Sequence, residues 1–187
     1  NLGKQHQEYK KKFTKELTKV MKSGNFILGS NVKKFEKEFS QYIGTKYAVG
    51  VGNGTDALYL SLKFLNLKPN DEVITVSNSY LSTVSSIYLA GSKARLIDVN
   101  YNDYQISVDE IKKNINKKTK AIIVVHLCGI PCDIEEIKKI CKYNNITIIE
   151  DCAQAAGAMI RKKKVGSFGL SGCFSLHPLK NLNALGD

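Results

Sequence analysis

The chain has 187 residues, of which 43% are hydrophobic and 24% charged, enough for one domain with a substantial core. Its apolar runs, such as Ala121 to Val125, fall far short of the ~20 residues a membrane span requires, and the polar opening Asn1-Leu2-Gly3-Lys4 lacks a signal-peptide hydrophobic region. A net charge of +11 raises nucleic acid as a partner, but the excess is nearly all lysine scattered over helix faces, with Arg95 and Arg161 as the arginines, which argues against it.

In chain order, residues 4 to 22 read as a Lys-rich amphipathic helix with Phe13, Leu17, Val20 and Met21 on one face, ended by Ser23-Gly24. Ser30 reads as the N-cap of a second helix that carries Val32, Phe35, Phe39 and Tyr42 inward until Gly44. From Tyr47 onward the pattern changes. Strands are expected at Tyr47 to Val51, Glu72 to Ser77, Ala94 to Val99, Ala121 to Val125, Thr147 to Glu150 and Gly172 to Leu176. Helices are expected at Thr55 to Leu65, Thr83 to Leu89, Val108 to Asn114 and Ile134 to Tyr143. Strands that are apolar throughout, alternating with helices, predict an α/β fold: a three-layer α/β/α arrangement around a mostly parallel sheet. The expected organisation is a helical segment over 1–45 and one larger domain over 46–187.

Arg161-Lys162-Lys163-Lys164 reads as a solvated turn between two strands. The five cysteines are odd in number and lack paired zinc spacing, and His6, His126 and His177 are far apart, so neither a disulfide framework nor a metal site is expected. Reduced thiols in a cytoplasmic protein fit this composition.

Ligands of such sheets gather where the chain leaves the carboxyl ends of strands, and four stretches stand there. In Gly52-Asn53-Gly54-Thr55-Asp56, glycines turn the chain into a helix whose free N–H groups suit a phosphate, Gly54 permitting close approach; a plain turn capped by Thr55 or Asp56 fits equally. In Ser77-Asn78-Ser79-Tyr80-Leu81-Ser82-Thr83, Tyr80 can present its ring to a flat ligand or simply pack, while the serines and Thr83 can cap the next helix. Asp151 ends an apolar strand and needs a cation or hydrogen-bond donor; it can hold a ring nitrogen protonated or cap a turn. Finally, Phe174-Ser175-Leu176-His177-Pro178-Leu179-Lys180 leads a strand into a Pro-bearing turn, where Ser175 can meet the same phosphate and Lys180 can form an imine with a carbonyl. Phosphate site, aromatic ring, acid for a ring nitrogen and imine-forming lysine together describe pyridoxal 5'-phosphate.

These stretches, with Gly24 to Gly29, Pro69 to Ile74, His126-Leu127-Cys128-Gly129 and Glu150-Asp151-Cys152-Ala153-Gln154-Ala155, resemble the DegT/DnrJ/EryC1/StrS sugar aminotransferases, nearly from end to end. The resemblance implies the large domain of pyridoxal-phosphate enzymes of the aspartate-aminotransferase fold (fold type I). It implies that Lys180 bonds the cofactor and shuttles a proton, that Asp151 pairs with the pyridine nitrogen, and that Gln154 lies near the phenolic oxygen. Tyr80 would stack on the ring, and Thr55, Asp56 and Ser175 would hold the phosphate beside Gly54. His177 would face the substrate. The implied reaction moves an amino group from glutamate to a keto group of a nucleotide-linked sugar, in polysaccharide biosynthesis, within a homodimer that shares its active sites. The sugar 3-dehydratases of the family carry His in place of the lysine, so Lys180 argues for transamination; dehydration on the same fold and a non-catalytic fragment are the alternatives. Cys128 stands where Tyr is common and Ile130 where Gln is frequent. Members also continue past Gly186-Asp187 into a small C-terminal domain, so this chain corresponds to the large domain.

Overall fold

The computed structural model describes residues 2–184. Two helices come first, α1 (Leu2–Ser23) and α2 (Ser30–Ile43). The α/β part follows as α3 (Gly54–Phe64), β1 (Glu72–Val76), α4 (Leu81–Leu89), β2 (Lys93–Ile97), α5 (Val108–Asn114), β3 (Thr119–Val125), α6 (Ile134–Asn144), β4 (Thr147–Asp151), β5 (Met159–Ile160), β6 (Lys163–Lys164) and β7 (Ser171–Cys173).

Five strands form a parallel sheet in the order β2-β1-β3-β4-β7. The central strand β3 is buried from Ala121 to Val125, as a strand covered on both faces must be. With this strand order, the right-handed rule for parallel crossovers puts α4 on one face and α5 and α6 on the other, in keeping with the packing of α3 on α4 and of α5 on α6. Leu58, Leu62 and Ile87 fill one side of the sheet, and Ile111, Ile134 and Ile137 belong to the same buried core. The three-layer α/β/α architecture expected from the sequence is therefore the one observed.

The order reverses between β1 and β3, so the loops leaving their carboxyl ends diverge and open a crevice, the usual position for a ligand in such sheets. β5 and β6 form a separate antiparallel pair joined at Arg161-Lys162, so only the first half of the basic cluster is the expected turn and Lys163-Lys164 is itself a strand. Among the described residues no helix is long and apolar enough to cross a membrane.

Four expectations fail. Tyr47 to Val51 is not a strand: Tyr47 and Val49 are exposed, so burial offers nothing to offset the ordering, and the Gly50 N–H donates to Glu36 Oε1 at 2.7 Å instead of joining a ladder. Ser30 is not a cap; Gly29 holds the cap position of α2 with no side-chain hydrogen bond. Along α2, Phe35 and Tyr42 stay exposed; Val32 and Phe39 are half-buried, Phe39 packing on Phe174, and Ser40 and Ile43 are the buried residues. The last strand also ends early, at Cys173, which leaves Phe174 to Lys180 as an extended exit and turn.

Candidate active site

Loops and helix ends from four places in the chain meet over the carboxyl end of the sheet around a cavity of about 390 Å³. Of the residues singled out from the sequence, Gly54, Thr55, Tyr80, Asp151, Gln154, Ser175, His177 and Lys180 all line it. Asp56 does not line it. Leu185 to Asp187, the last residues of the motif that begins at Phe174, lie outside the described residues.

At the floor stands Asp151, the last residue of β4, flanked in register by Val125 of β3 and Cys173 of β7. It is only 6% exposed. Its Oδ2 accepts from the Thr83 hydroxyl at 2.9 Å and its Oδ1 from the Ala153 N–H at 3.2 Å. Burial pushes its carboxyl above the usual range; the two donors and the charge of Lys180 oppose the shift without cancelling it. A buried carboxylate in this condition is stabilised by any cation brought against it.

One wall is the N-terminus of α3. Its cap is Asn53, whose Oδ1 accepts the Asp56 N–H at 2.9 Å while its amide donates to Asp56 Oδ2 at 3.3 Å. The expected cap at Thr55 or Asp56 is thus replaced by Asn53, which engages the Asp56 N–H, and the Thr55 hydroxyl lies 2.7 Å from Ser82 Oγ. The structure gives Gly54 a further reason to be glycine. A Cβ there would stand 3.0 Å from Ser175 Cβ, so its absence lets the exit of β7 close against the start of α3 and brings the Ser175 and Thr55 hydroxyls to one end of the cavity.

Tyr80 occupies the cap position of α4 and is 73% exposed, so its ring stands at the rim and is not a packed core residue. Gln154 Oε1 accepts the Cys128 N–H at 2.9 Å, across a short 3-10 turn at Leu127–Gly129 in which Cys128 has φ +54°. Past Ser175 the chain turns over Pro178: the His177 N–H donates to Ser175 Oγ at 3.3 Å, and His177 Nδ1 accepts the Leu179 N–H at 3.2 Å. The Lys180 N–H donates to the His177 carbonyl at 2.8 Å, so a hydrogen-bonded turn presents the Lys180 amine at the cavity.

Beneath Asp151 lies a group that the sequence reading did not single out. Glu150 is fully buried and accepts four hydrogen bonds: from Phe168 N at 2.6 Å and Gly169 N at 2.8 Å on Oε1, and from Gly166 N at 2.7 Å and His126 Nε2 at 3.1 Å on Oε2. His126 Nδ1 accepts the Cys132 N–H, which leaves Nε2 as the protonated nitrogen and fixes the tautomer. Burial alone would raise the Glu150 carboxyl, but its four donors outweigh it and hold the group below the usual glutamate range. His126, Glu150 and Cys152 offer ligand atoms within 4.8 Å of one another, yet the Glu150 oxygens and both imidazole nitrogens are already engaged within the protein. The cluster is a structural hub. Its one sequence signal is a second acid beside Asp151; the donors are 16 to 24 residues away.

The model of the DegT/DnrJ/EryC1/StrS aminotransferase family matches residues 7–187, and the chain belongs to that family. It is 43% identical over 167 residues to the dTDP-3-amino-3,6-dideoxy-alpha-D-galactopyranose transaminase of Aneurinibacillus thermoaerophilus, covering 89% of this chain and 46% of that protein. It is 39% identical over 187 residues to a pleiotropic regulatory protein of Geobacillus stearothermophilus, covering all of this chain and half of that one. Among solved structures, S. venezuelae DesV in complex with a ketimine intermediate superposes with a TM-score of 0.96 at 33% identity, covering 100% of this chain and 50% of that one. A neighbour from Streptococcus pneumoniae is a PLP form. The fold is thus that of the family's aminotransferases, and the chain spans about half the length of the curated relatives it matches.

Proposed function

We propose that this chain is the cofactor-binding large domain of a pyridoxal-phosphate-dependent aminotransferase that moves an amino group, with glutamate as donor, onto a keto group of a nucleotide-linked sugar. The observation that carries the reading is the convergence on one cavity of a buried carboxylate lacking a full cation, a helix N-terminus flanked by hydroxyls, an exposed aromatic ring at the rim and a primary amine. That donor set fits a flat aromatic ring with a basic nitrogen at one end and a phosphate at the other.

When bound, pyridoxal phosphate supplies an aldehyde carbon that takes up amino groups and an electron-poor ring that delocalises carbanion charge. Asp151 would hold the ring nitrogen protonated through its buried carboxylate. The N-terminus of α3 with Gly54 and the hydroxyls of Thr55 and Ser175 would hold the phosphate. Asp56 supports that end through the Asn53 cap. Tyr80 would cover one face of the ring, and Gln154, already anchored to the Cys128 N–H, would face the phenolic oxygen. Lys180, whose amine reaches the cavity, would hold the aldehyde carbon and would serve as the base that moves a proton at the substrate carbon. His177 would stand on the substrate side.

The substrate class is supported by the named transaminase relative and by the net charge of +11, which attracts a nucleotide diphosphate. Lysine at position 180, where the dehydratase branch carries His, favours transamination over dehydration. Leu81 and Leu89 on α4 and Phe64 on α3 are 64–76% exposed, an apolar surface consistent with a homodimer in which a second copy completes each site.

Borohydride treatment of the 187-residue chain mixed with pyridoxal phosphate, followed by peptide mass mapping, tests the reading. A reduced cofactor adduct should appear on Lys180, and Lys180→Ala should lose both the adduct and the visible absorbance of the bound cofactor. An adduct spread over surface lysines, or an unchanged spectrum in Lys180→Ala, would refute it. Release of 2-oxoglutarate from glutamate in the presence of a keto-sugar nucleotide then separates transamination from dehydration and from an inert fragment.

A further inference from the structure

Asp151 is reached by a chain of hydroxyls that the aminotransferase reading does not use. Thr83, in the first turn of α4, is fully buried, and its Oγ1 donates to Asp151 Oδ2 at 2.9 Å. Ser79 Oγ lies 2.7 Å from the same Thr83 Oγ1. A hydroxyl has one proton, and an ionised carboxylate only accepts. Since the Thr83 proton goes to Asp151, Thr83 must accept from Ser79, and the chain runs one way, Ser79 to Thr83 to Asp151. Ser79 is half-buried and Thr83 fully buried, and both line the cavity.

We propose that Ser79 and Thr83 form a one-way hydroxyl relay that keeps Asp151 ionised and turned toward the ring nitrogen, which makes both of them positioning residues. The inference rests on the reading of Asp151 as partner of the cofactor ring. The physical argument is that donation to Oδ2 favours the charged carboxylate, and polarisation of Thr83 by Ser79 strengthens that donation. The relay opposes burial, which drives the group the other way. The other titratable groups around Asp151 are Lys180 beyond β7, His126 at the end of β3, Glu150 on its own strand, and the Cys152 and Cys173 thiols. Among the described residues, Thr83 and the Ala153 N–H on Oδ1 are the groups that hydrogen-bond this carboxylate.

The test is the carboxyl carbon NMR titration of Asp151 in the cofactor-free 187-residue chain, the signal being assigned by its loss in Asp151→Asn. Thr83→Val removes the donor at nearly constant shape and should move the midpoint up by roughly one pH unit or more, a tenfold gain in proton affinity. Ser79→Ala should move it in the same direction by less, and Thr83→Ser should restore the wild-type value. An unchanged midpoint in Thr83→Val, or Thr83→Ser behaving like Thr83→Val, overturns the relay. If Thr83→Val does not fold, Ser79→Ala at its half-buried position decides, and no shift there overturns the proposal. Absorbance titration of the wild-type chain with pyridoxal phosphate is recorded alongside: failure to bind sinks the cofactor reading, while the relay stands or falls on the carboxyl titration.

Discussion

Glu150 and Asp151 are adjacent carboxylates at the end of one strand, and their environments give them opposite effects on stability. Glu150→Gln keeps the volume but offers one carbonyl oxygen where two carboxylate oxygens now accept four bonds. Two buried N–H donors then face an amide NH₂, at about 1–3 kcal/mol each, a loss of about 2–6 kcal/mol. For a chain of 187 residues this is a fall in Tm of roughly 10 °C. The pH dependence separates the two residues. The Glu150 carboxyl is held below its ordinary value of 4.5, so its contribution is fully present above that value and is lost as pH falls through the lowered folded one. The Asp151 carboxyl is raised above its ordinary 3.8, so the folded state takes up a proton first; stability is gained as pH falls through the raised value and lost as pH rises. Urea unfolding of the cofactor-free chain, followed by circular dichroism from acid to neutral pH, reads both limbs. Glu150→Gln should be less stable at neutral pH and lose much of the acid-side decline. Asp151→Asn should be at least as stable as wild type at neutral pH, because it no longer buries an ionised carboxylate without a full counter-charge. Equal pH profiles for the two variants, or a Glu150→Gln chain as stable as wild type, would refute the assignment of opposite roles.

The thiols make a second prediction: Cys132, Cys141 and Cys173 are pushed up to about 12 and Cys152 well above its usual range, all by burial, whereas Cys128 is exposed. Alkylation of the native chain at neutral pH should therefore add one label, on Cys128; a second label under native conditions counts against the packing described for the other four. Gly54→Ala should leave the fold intact but push Ser175 away by a few tenths of an ångström, weakening pyridoxal-phosphate binding several-fold in an absorbance titration; wild-type affinity would mean that the close approach of Ser175 to α3 does not matter to the site.

How far the sequence reveals this structure follows from the range of each interaction. Strands such as Ala121 to Val125 are apolar on both faces and are legible because burial alone dictates them. Tyr47 to Val51 carries the same local signal and fails, because strand formation also needs a partner edge, which no local pattern encodes. The cavity residues are legible because the fold class puts ligands at strand ends, where Thr55, Tyr80, Asp151 and Lys180 stand out by chemistry. The groups that set the behaviour of Asp151 are not legible. Thr83 lies 68 residues away from it and reads as an ordinary cap candidate, and the donors to Glu150 are mostly backbone N–H groups of a glycine-rich loop, which have no side-chain signature at all.

The first turn of α4 links these findings. Ser82 and Thr83 are consecutive, so on a helix their side chains diverge by roughly 100° and cannot serve the same neighbour. Ser82 meets Thr55 at the end of the cavity assigned to the phosphate, and Thr83 meets Asp151 at the end assigned to the ring nitrogen. One turn of helix therefore fixes the separation of the two ends, and Tyr80 at its cap brings the ring that would cover the face between them. Lys180 is held differently. It sits in a Pro-bearing turn with Leu179 71% exposed, tied back by one main-chain bond to the His177 carbonyl. On the proposed reading, the groups that would hold the cofactor stand on the ends of packed elements, while the amine that would carry a proton stands on a Pro-bearing turn outside the sheet and helices. This division predicts that substitutions in α4 disturb cofactor affinity, whereas substitutions in the Pro178 turn disturb the proton-transfer rate, a split that single-turnover kinetics on the two sets of variants can measure.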